Sequence, residues 1–451
     1  MRKRISAFFS VLAAIVLLTV PASAASSGST LKIICADAGQ VIFTPPGSTQ
    51  YAYRYGPAIL IDGDRIDIWA SAPPLVSNGV RYGNDSIEYI RSTDGGKTWT
   101  EWKTVLYPTL NSEDQWSTCD PGAFKYGDYY YVGYTGSPEF RTNPDKEKQV
   151  NNLFIARAKN PEGPYEKWNG NGWGGDPYAI TRYSGDGVGC SMPSFTVKGD
   201  TLYMYYVDQT HPDQDWNSEG NISVSTFSLK DPNWPGNELS NKMCENKPEE
   251  VRYCPDIDKF IGFQLKGGWD YDSYVEIYES TDGVNFTKTS SFRNNFPHYA
   301  HNIGISGNNL GQLDLSIQNY IGTAYTPTGV EALWGHWHTQ LIPLYIREEQ
   351  PSSTTSSQPS GSTDSSSQKP TTSSVGSTDG ESSETEVSEP QNSNIESTVS
   401  DDKDKDKEVN NKTEQQEETS YLWLYIVIGA VVVLAGAGTA VYFLVIKKKH
   451  V

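Results

Sequence analysis

Between about residue 31 and residue 347 the apolar residues fall in short runs, not along helical stripes. Tyr, Val, Ile, Phe and Trp alternate with Gly, Asp, Asn and Pro, the pattern of many short strands joined by tight turns. Four stretches repeat an arrangement: "YGPAILIDGDRIDIWAS" with Pro57, "CDPGAFKYGDYYYVGYTG" with Pro121, "SMPSFTVKGDTLYMYYVD" with Pro193 and "YCPDIDKFIGFQ" with Pro255. In the first three, proline opens an apolar strand, a Gly/Asp turn follows, and a second aromatic strand returns. The fourth keeps the opening without a clear turn. Proline is tolerated where a strand begins because it need not donate to the ladder there.

The second halves of the units match as well. "SIEYIRSTDGGKTW", "NLFIARAKNPEGPYEKW" and "YVEIYESTDGVNF" each read as a strand, a polar turn and a second, aromatic-bearing segment. Two hairpins per unit make a four-stranded blade, and the units recur roughly every 65 residues. "HNIGISGNNLGQLDLSIQNY" and "WGHWHTQLIPLYI" supply a fifth unit. The expectation is an all-β five-bladed propeller over 31–347, with Pro57, Pro121, Pro193 and Pro255 on its inner strands.

The flanking sequence places this domain. Residues 1–24 carry Arg2, Lys3 and Arg4, an apolar run, and Ala22-Ser23-Ala24. That is the layout of a secretory signal, the alternative being a first membrane helix. Residues 421–446 hold no charge and suit a membrane-spanning helix. Tyr421, Trp423 and Tyr425 fall at the outer interface, and the basic tail 447–451 lies inside. Residues 351–420 are Ser, Thr, Gln, Pro and charge, a composition that cannot form a core and reads as a disordered stalk. The expectation is a single-pass protein with an extracellular ectodomain, on a cell surface of the Gram-positive type. No LPxTG-like motif precedes the apolar segment.

A net charge of −19 argues against nucleic acid as a partner. The five cysteines form no CxxC pair, which argues against a zinc ribbon. Cys244 and Cys254 are close enough in sequence to bridge, while Cys119 and Cys190 read as buried thiols. A monomer is expected.

"STDGGKTW" matches the S-x-D-x-G-x-x-W Asp-box found in sialidases and other propellers, through Ser92, Asp94, Gly96 and Trp99. Its expected role is structural: Asp94 bonds turn amides and Trp99 packs between strands. "DPGAFKYGDYYYVGYTG" and "FIARAKNPEGPYEKW" resemble blade sequences of glycoside hydrolase family 43 and its five-bladed relatives in family 32. The resemblance implies a three-carboxylate site on the inner strands: a base in blade one, an orienting Asp before Pro in blade two, and an acid in blade three. Asp120 before Pro121 fits the orienting Asp, whereas Gly56 precedes Pro57, and Ser191 and Met192 precede Pro193. The resemblance implies no organic cofactor, admits a structural calcium in the central channel, and makes His301 a residue near such a cation.

Arg54 and Arg252, each three residues before a proline, could together fork a carboxylate of an acidic sugar or each pair with a nearby acid. Asp85, Glu113, Asp114, Asp208, Asp215, Asp270 and Asp272 are further acids outside the alignment. Glu88 and Glu276 match between blades and read as a repeated structural position. Trp69, Trp116, Trp216 and Trp269 could stack on sugar rings or fill the blades. Three functions are open: a cell-surface glycoside hydrolase acting on extracellular polysaccharide through Asp120, a non-catalytic carbohydrate-binding propeller, in one version for acidic glycans, or a protein-interaction propeller.

Overall fold

The computed structural model describes residues 29–349 apart from 48–51, 139, 144–145, 183–187, 211–219, 329 and 331–334. The signal-like start, the stalk, the apolar segment 421–446, Asp215 and Trp216 lie outside the described residues. Every regular element among the described residues is a β-strand.

The strands form five antiparallel four-stranded blades, each written from the axis outward. Blade 1 is Tyr55–Asp62, Arg65–Ala72, Ser86–Ser92 and Lys103–Leu106. Blade 2 is Ser117–Tyr126, Tyr129–Ser137, Asn152–Ala158 and Glu166–Lys167. Blade 3 is Gly189–Lys198, Thr201–Gln209, Asn221–Ser228 and Glu238–Met243. Blade 4 is Glu250–Cys254, Lys259–Lys266, Tyr274–Ser280 and Thr287–Phe292. Blade 5 is Ala300–Gly307, Asn319–Tyr325, His338–Glu349 and, outermost, the N-terminal strand Thr30–Cys35. Each inner strand packs against the next, and the fifth returns to the first. Parallel rungs Ser306–Ile59 and Gly307–Leu60 complete the ring.

The core is divided among the blade interfaces. Trp69, Tyr89, Tyr130 and Tyr134 fill the space between blades 1 and 2, and Phe124, Phe195, Val197 and Trp234 that between blades 2 and 3. Tyr205, Tyr253, Phe260 and Phe286 separate blades 3 and 4. Ile261, Phe263, Ile303 and Ile342 separate blades 4 and 5, and Ile59, Ile68 and Leu341 separate blades 5 and 1. Near the axis the backbones crowd. A β-carbon on Gly304 would stand 1.6 Å from the Pro57 carbonyl oxygen, and one on Gly122 would stand 2.0 Å from that of Pro193. Only glycine permits such an approach.

Pro57, Pro121 and Pro193 lie on inner strands as expected. Pro255 does not. It follows Cys254 in the turn that leads to Lys259–Lys266, so the fourth stretch is the far end of blade 4's hairpin and not its opening. Thr30–Cys35, which completes blade 5, pairs with the last strand from Thr30–Glu349 to Cys35–Leu344. Gln40–Phe43 pairs with that same last strand. All five cysteines are free and buried. Cys244 and Cys254 pack in different interface cores, and this separation keeps them unbridged.

At Ser92, the hydroxyl donates to Asp94 Oδ1 at 2.8 Å, and the amides of Lys97 and Thr98 donate to the same oxygen. The Gly96 amide donates to Ser92 Oγ, and Trp99 packs half-buried against the blade 1 interior. Ser280 and Asp282 repeat this stitching in blade 4, ahead of buried Phe286.

Candidate functional site

The meander repeats in one sense, so all five inner strands run the same way and open on one face of the ring. There, four of them share a local distortion. Gly56, Asp120, Met192 and Asn302 each sit in the left-handed region, with φ of 57°, 47°, 56° and 57°. Each lies at a break in the pairing register with the second strand. Such a conformation is uncommon for a residue with a side chain, and local strain of this kind clusters where a side chain must be re-aimed. Blade 4 has no register break in its first pair and opens with Glu250.

Hydrogen bonds tie these bulges together. The Asp120 amide donates to Ser71 Oγ at 2.7 Å, and the Met192 amide donates to Thr135 Oγ1 at 2.9 Å. Ser71 and Thr135 hold the same place on the second strands of blades 1 and 2, paired with Tyr55 and Cys119. The Thr135 hydroxyl also bonds the Asp120 carboxyl, as does the Cys119 thiol.

Asp120 is half-buried, beside Gly56. Burial pushes its carboxyl up to about 6, the bonds from Cys119 and Thr135 pull the other way, and the charge of Asp85 adds to the rise. Asp85 itself is buried. It accepts from Tyr53 Oη, from Ser117 Oγ at 2.9 Å and from Asn84 Nδ2 at 3.2 Å. Burial raises its carboxyl too, against those three bonds. Its role is to lock the entry of the blade 2 inner strand, where it makes a parallel bridge to Ser117.

An aromatic wall adjoins Asp120. His301 stacks on Trp337 with ring centroids 4.3 Å apart and lies 4.6 Å from Trp269 and 5.5 Å from Tyr55. Tyr53, Tyr55, Cys119 and Trp337 form one buried cluster, with Trp269 half-buried against it. Burial alone drives the His301 imidazole down to about 3, so it is neutral at physiological pH. Among the described residues no group of three or more His, Cys, Asp or Glu side chains is placed to hold a metal ion.

The two arginines do not converge. Arg54 pairs with Glu88 at 2.5 Å and lies over the rings of Phe43 and Trp102, at the boundary of blades 5 and 1. Arg252 is buried against the inner strands of blades 3 and 5. It pairs with Glu250 at 2.8 Å and donates to Ser194 Oγ at 2.7 Å and to the Ile305 carbonyl at 2.6 Å. Each guanidinium has a carboxylate of its own, though in neither case Asp120. Pro255, used to align Arg252 with Arg54, is a turn residue, so the two arginines do not hold matching places in their blades.

Most of the other acids are structural or peripheral. Asp114 is buried against Lys167 at 2.5 Å and also accepts from Tyr134. Glu113 meets Arg182, and Asp208 accepts from Ser223. Asp270 and Asp272 are exposed. Glu88 and Glu276 are each held by a cation, Arg54 and Lys288. Trp69 is fully buried, and its indole N–H donates to the Pro161 carbonyl, so it fills a blade and does not stack on a ligand. Trp116 is half-buried beside the inner strand of blade 2, its carbonyl accepting from the Asn84 amide. The sequence reading did not single out Tyr55, Trp337 or Asn302. Only the position of Asn302, next to His301 at the opening of the fifth unit, marked it.

No family model matches the chain, and no curated protein matches it in sequence. Solved structures do match. An α-L-arabinofuranosidase from Podospora anserina in complex with cellotriose is 13% identical, over 71% of this chain and 98% of that one, with a TM-score of 0.46. A family 117 glycoside hydrolase from Zobellia galactanivorans is 14% identical, over 72% of this chain and 92% of that one, with a TM-score of 0.45. A family 43 protein from Bacillus licheniformis is 12% identical, over 66% of this chain and 53% of that one, with a TM-score of 0.43.

Proposed function

We propose that this protein is a glycan-binding propeller tethered to the outer face of a cell membrane. Its axial mouth takes a saccharide between Asp120 and the partly exposed rings of Trp269 and His301, which Tyr55 and Trp337 back from within the core. One observation carries the reading. Of the four left-handed positions where inner strands open, only Asp120 bears a carboxyl; Gly56, Met192 and Asn302 do not, and Glu250, which opens blade 4, is paired with Arg252. Glycoside hydrolysis by the usual route needs two carboxyl groups flanking the scissile bond. Asp85, the carboxyl that acts on Asp120 electrostatically, is buried and committed to Tyr53, Ser117 and Asn84. A lone carboxylate can instead accept sugar hydroxyls, each charge-assisted bond contributing about 1.5–3 kcal/mol. Among the described residues Arg54 and Arg252 are each already paired with a carboxylate, which favours neutral glycans.

A second reading, hydrolysis, is favoured by a different observation: a carboxyl that titrates near 6 suits a general acid at neutral pH. Calorimetry and reducing-sugar release with xylotriose, cellotriose and arabino-oligosaccharides separate the two. Binding without turnover supports the proposal. Turnover that Asp120→Asn abolishes replaces it with the hydrolase.

The tether rests on the uncharged stretch 421–446 and the signal-like residues 1–24. Protease treatment of intact cells should cut within 351–420 and release the soluble propeller. A fragment that stays with the membrane would refute this topology.

A further inference from the structure

Met192 and Asn302 occupy matching bulges in blades 3 and 5, with blade 4 between them in the ring. Yet Asn302 Nδ2 lies 3.6 Å from Met192 Sδ. Blade 4 has no such bulge, and its inner strand starts at Glu250, so the two side chains meet by reaching toward the axis over its opening.

This meeting leaves Asn302 poorly served. The residue is 9% exposed, and its Oδ1 is buried with no hydrogen-bond partner. Its amide nitrogen has a thioether, a weak acceptor. A buried amide left this way is costly, and native proteins seldom keep one without reason. Its backbone is no accident of a loop, because Asn302 O accepts from Thr323 Oγ1 and His301 and Ile303 are both in register with the second strand. The fold holds Asn302 in the same left-handed bulge that presents Asp120.

Resting on the glycan-binding reading, we infer that Asn302 is a second ligand-recognition residue, its Oδ1 and Nδ2 meeting adjacent hydroxyls of the saccharide whose other side is held by Asp120. The ligand is then a polyhydroxylated, uncharged group. Asn302 gives it one acceptor and one donor, Asp120 gives it acceptors only, and Met192 forms an apolar floor. Binding also relieves the orphaned oxygen.

The test uses Asn302→Gly and Asn302→Asp in the secreted propeller, with xylotriose, cellotriose and arabino-oligosaccharides as probes. Glycine keeps the left-handed backbone and removes the amide; aspartate also tolerates that backbone and keeps an acceptor oxygen. For whichever probe the wild type binds, Asn302→Gly should weaken affinity at least tenfold without lowering Tm, because an unsatisfied group has been removed. Asn302→Asp should recover part of the loss. Wild-type affinity in Asn302→Gly, with Asp120→Asn still weakened, overturns the role of Asn302 and leaves the glycan reading standing. A fall in Tm of several degrees in both variants makes Asn302 structural and also overturns the inference. A wild type that binds none of the probes overturns both readings together.

Discussion

Asp120 stands against Gly56: a β-carbon at position 56 would lie 3.5 Å from Asp120 Oδ1. Gly56 is where the glycoside hydrolase resemblance places the blade-one base, and its φ of 57° is one that aspartate tolerates. Gly56→Asp should therefore fold and set two carboxyls side by side. Like charges that close raise one of the two pKa values. Carboxyl-carbon NMR of the variant should show Asp120 titrating above 6, by about one pH unit or more. An unchanged midpoint would mean that the two positions do not share a pocket.

Asp120 also makes stability depend on pH. Its folded pKa of about 6 lies above the ordinary aspartate value, so the folded state holds the proton more tightly than the unfolded chain. The stabilisation is complete below about pH 4 and is lost as pH rises through about 6. Asp120→Asn mimics the protonated form. It should raise stability at pH 7.5 by about 1–2 kcal/mol, reduced from the full linkage value because water reaches part of the side chain. At pH 4 the gain should vanish. Denaturant titrations at the two pH values check this, and an equal effect at both refutes the assignment.

Arg252 and Glu250 are a buried pair on the inner strand of blade 4, and burial pushes each toward its neutral form while the partner opposes that. Removing one member strands the other. Arg252→Ala should lose about 3–5 kcal/mol, seen as a large drop in the denaturation midpoint, because it also frees the Ile305 carbonyl and Ser194. A loss below about 1 kcal/mol would place the pair in water.

Asp94→Ala is the control for structure without function. It deletes the acceptor of the Lys97 and Thr98 amides, far from the inner strands. Tm should fall by roughly 2–4 °C, with saccharide affinity unchanged. A change in affinity would tie the outer turn to the site.

The blades were legible because alternation and turn residues are local signals. Ile59 and Ile66 declare their strands within a few residues. What failed was register across distance. Pro255 looked like Pro57 because both precede apolar runs, and only pairing tells an inner strand from a turn. Arg252 inherited that error. The strand Thr30–Cys35 shows alternation, but its partner is the far end of the domain. Asp120 was legible through Asp-Pro. Asn302 was not, because its meaning comes from a bulge and from Met192, which no spacing in the sequence encodes.

The N-terminal strand seals blade 5 against the last strand, Thr30 opposite Glu349. The first segment of the domain to be synthesised must therefore wait for the last before it finds its hydrogen bonds. Such long-range pairing is slow, since the loop to be closed spans the whole ring. Any chain interrupted before His338 leaves Thr30–Cys35 without the strand it pairs with. Completion of the polypeptide acts as a checkpoint: a partial product leaves Thr30–Cys35 unpaired, and the finished one pairs it from end to end.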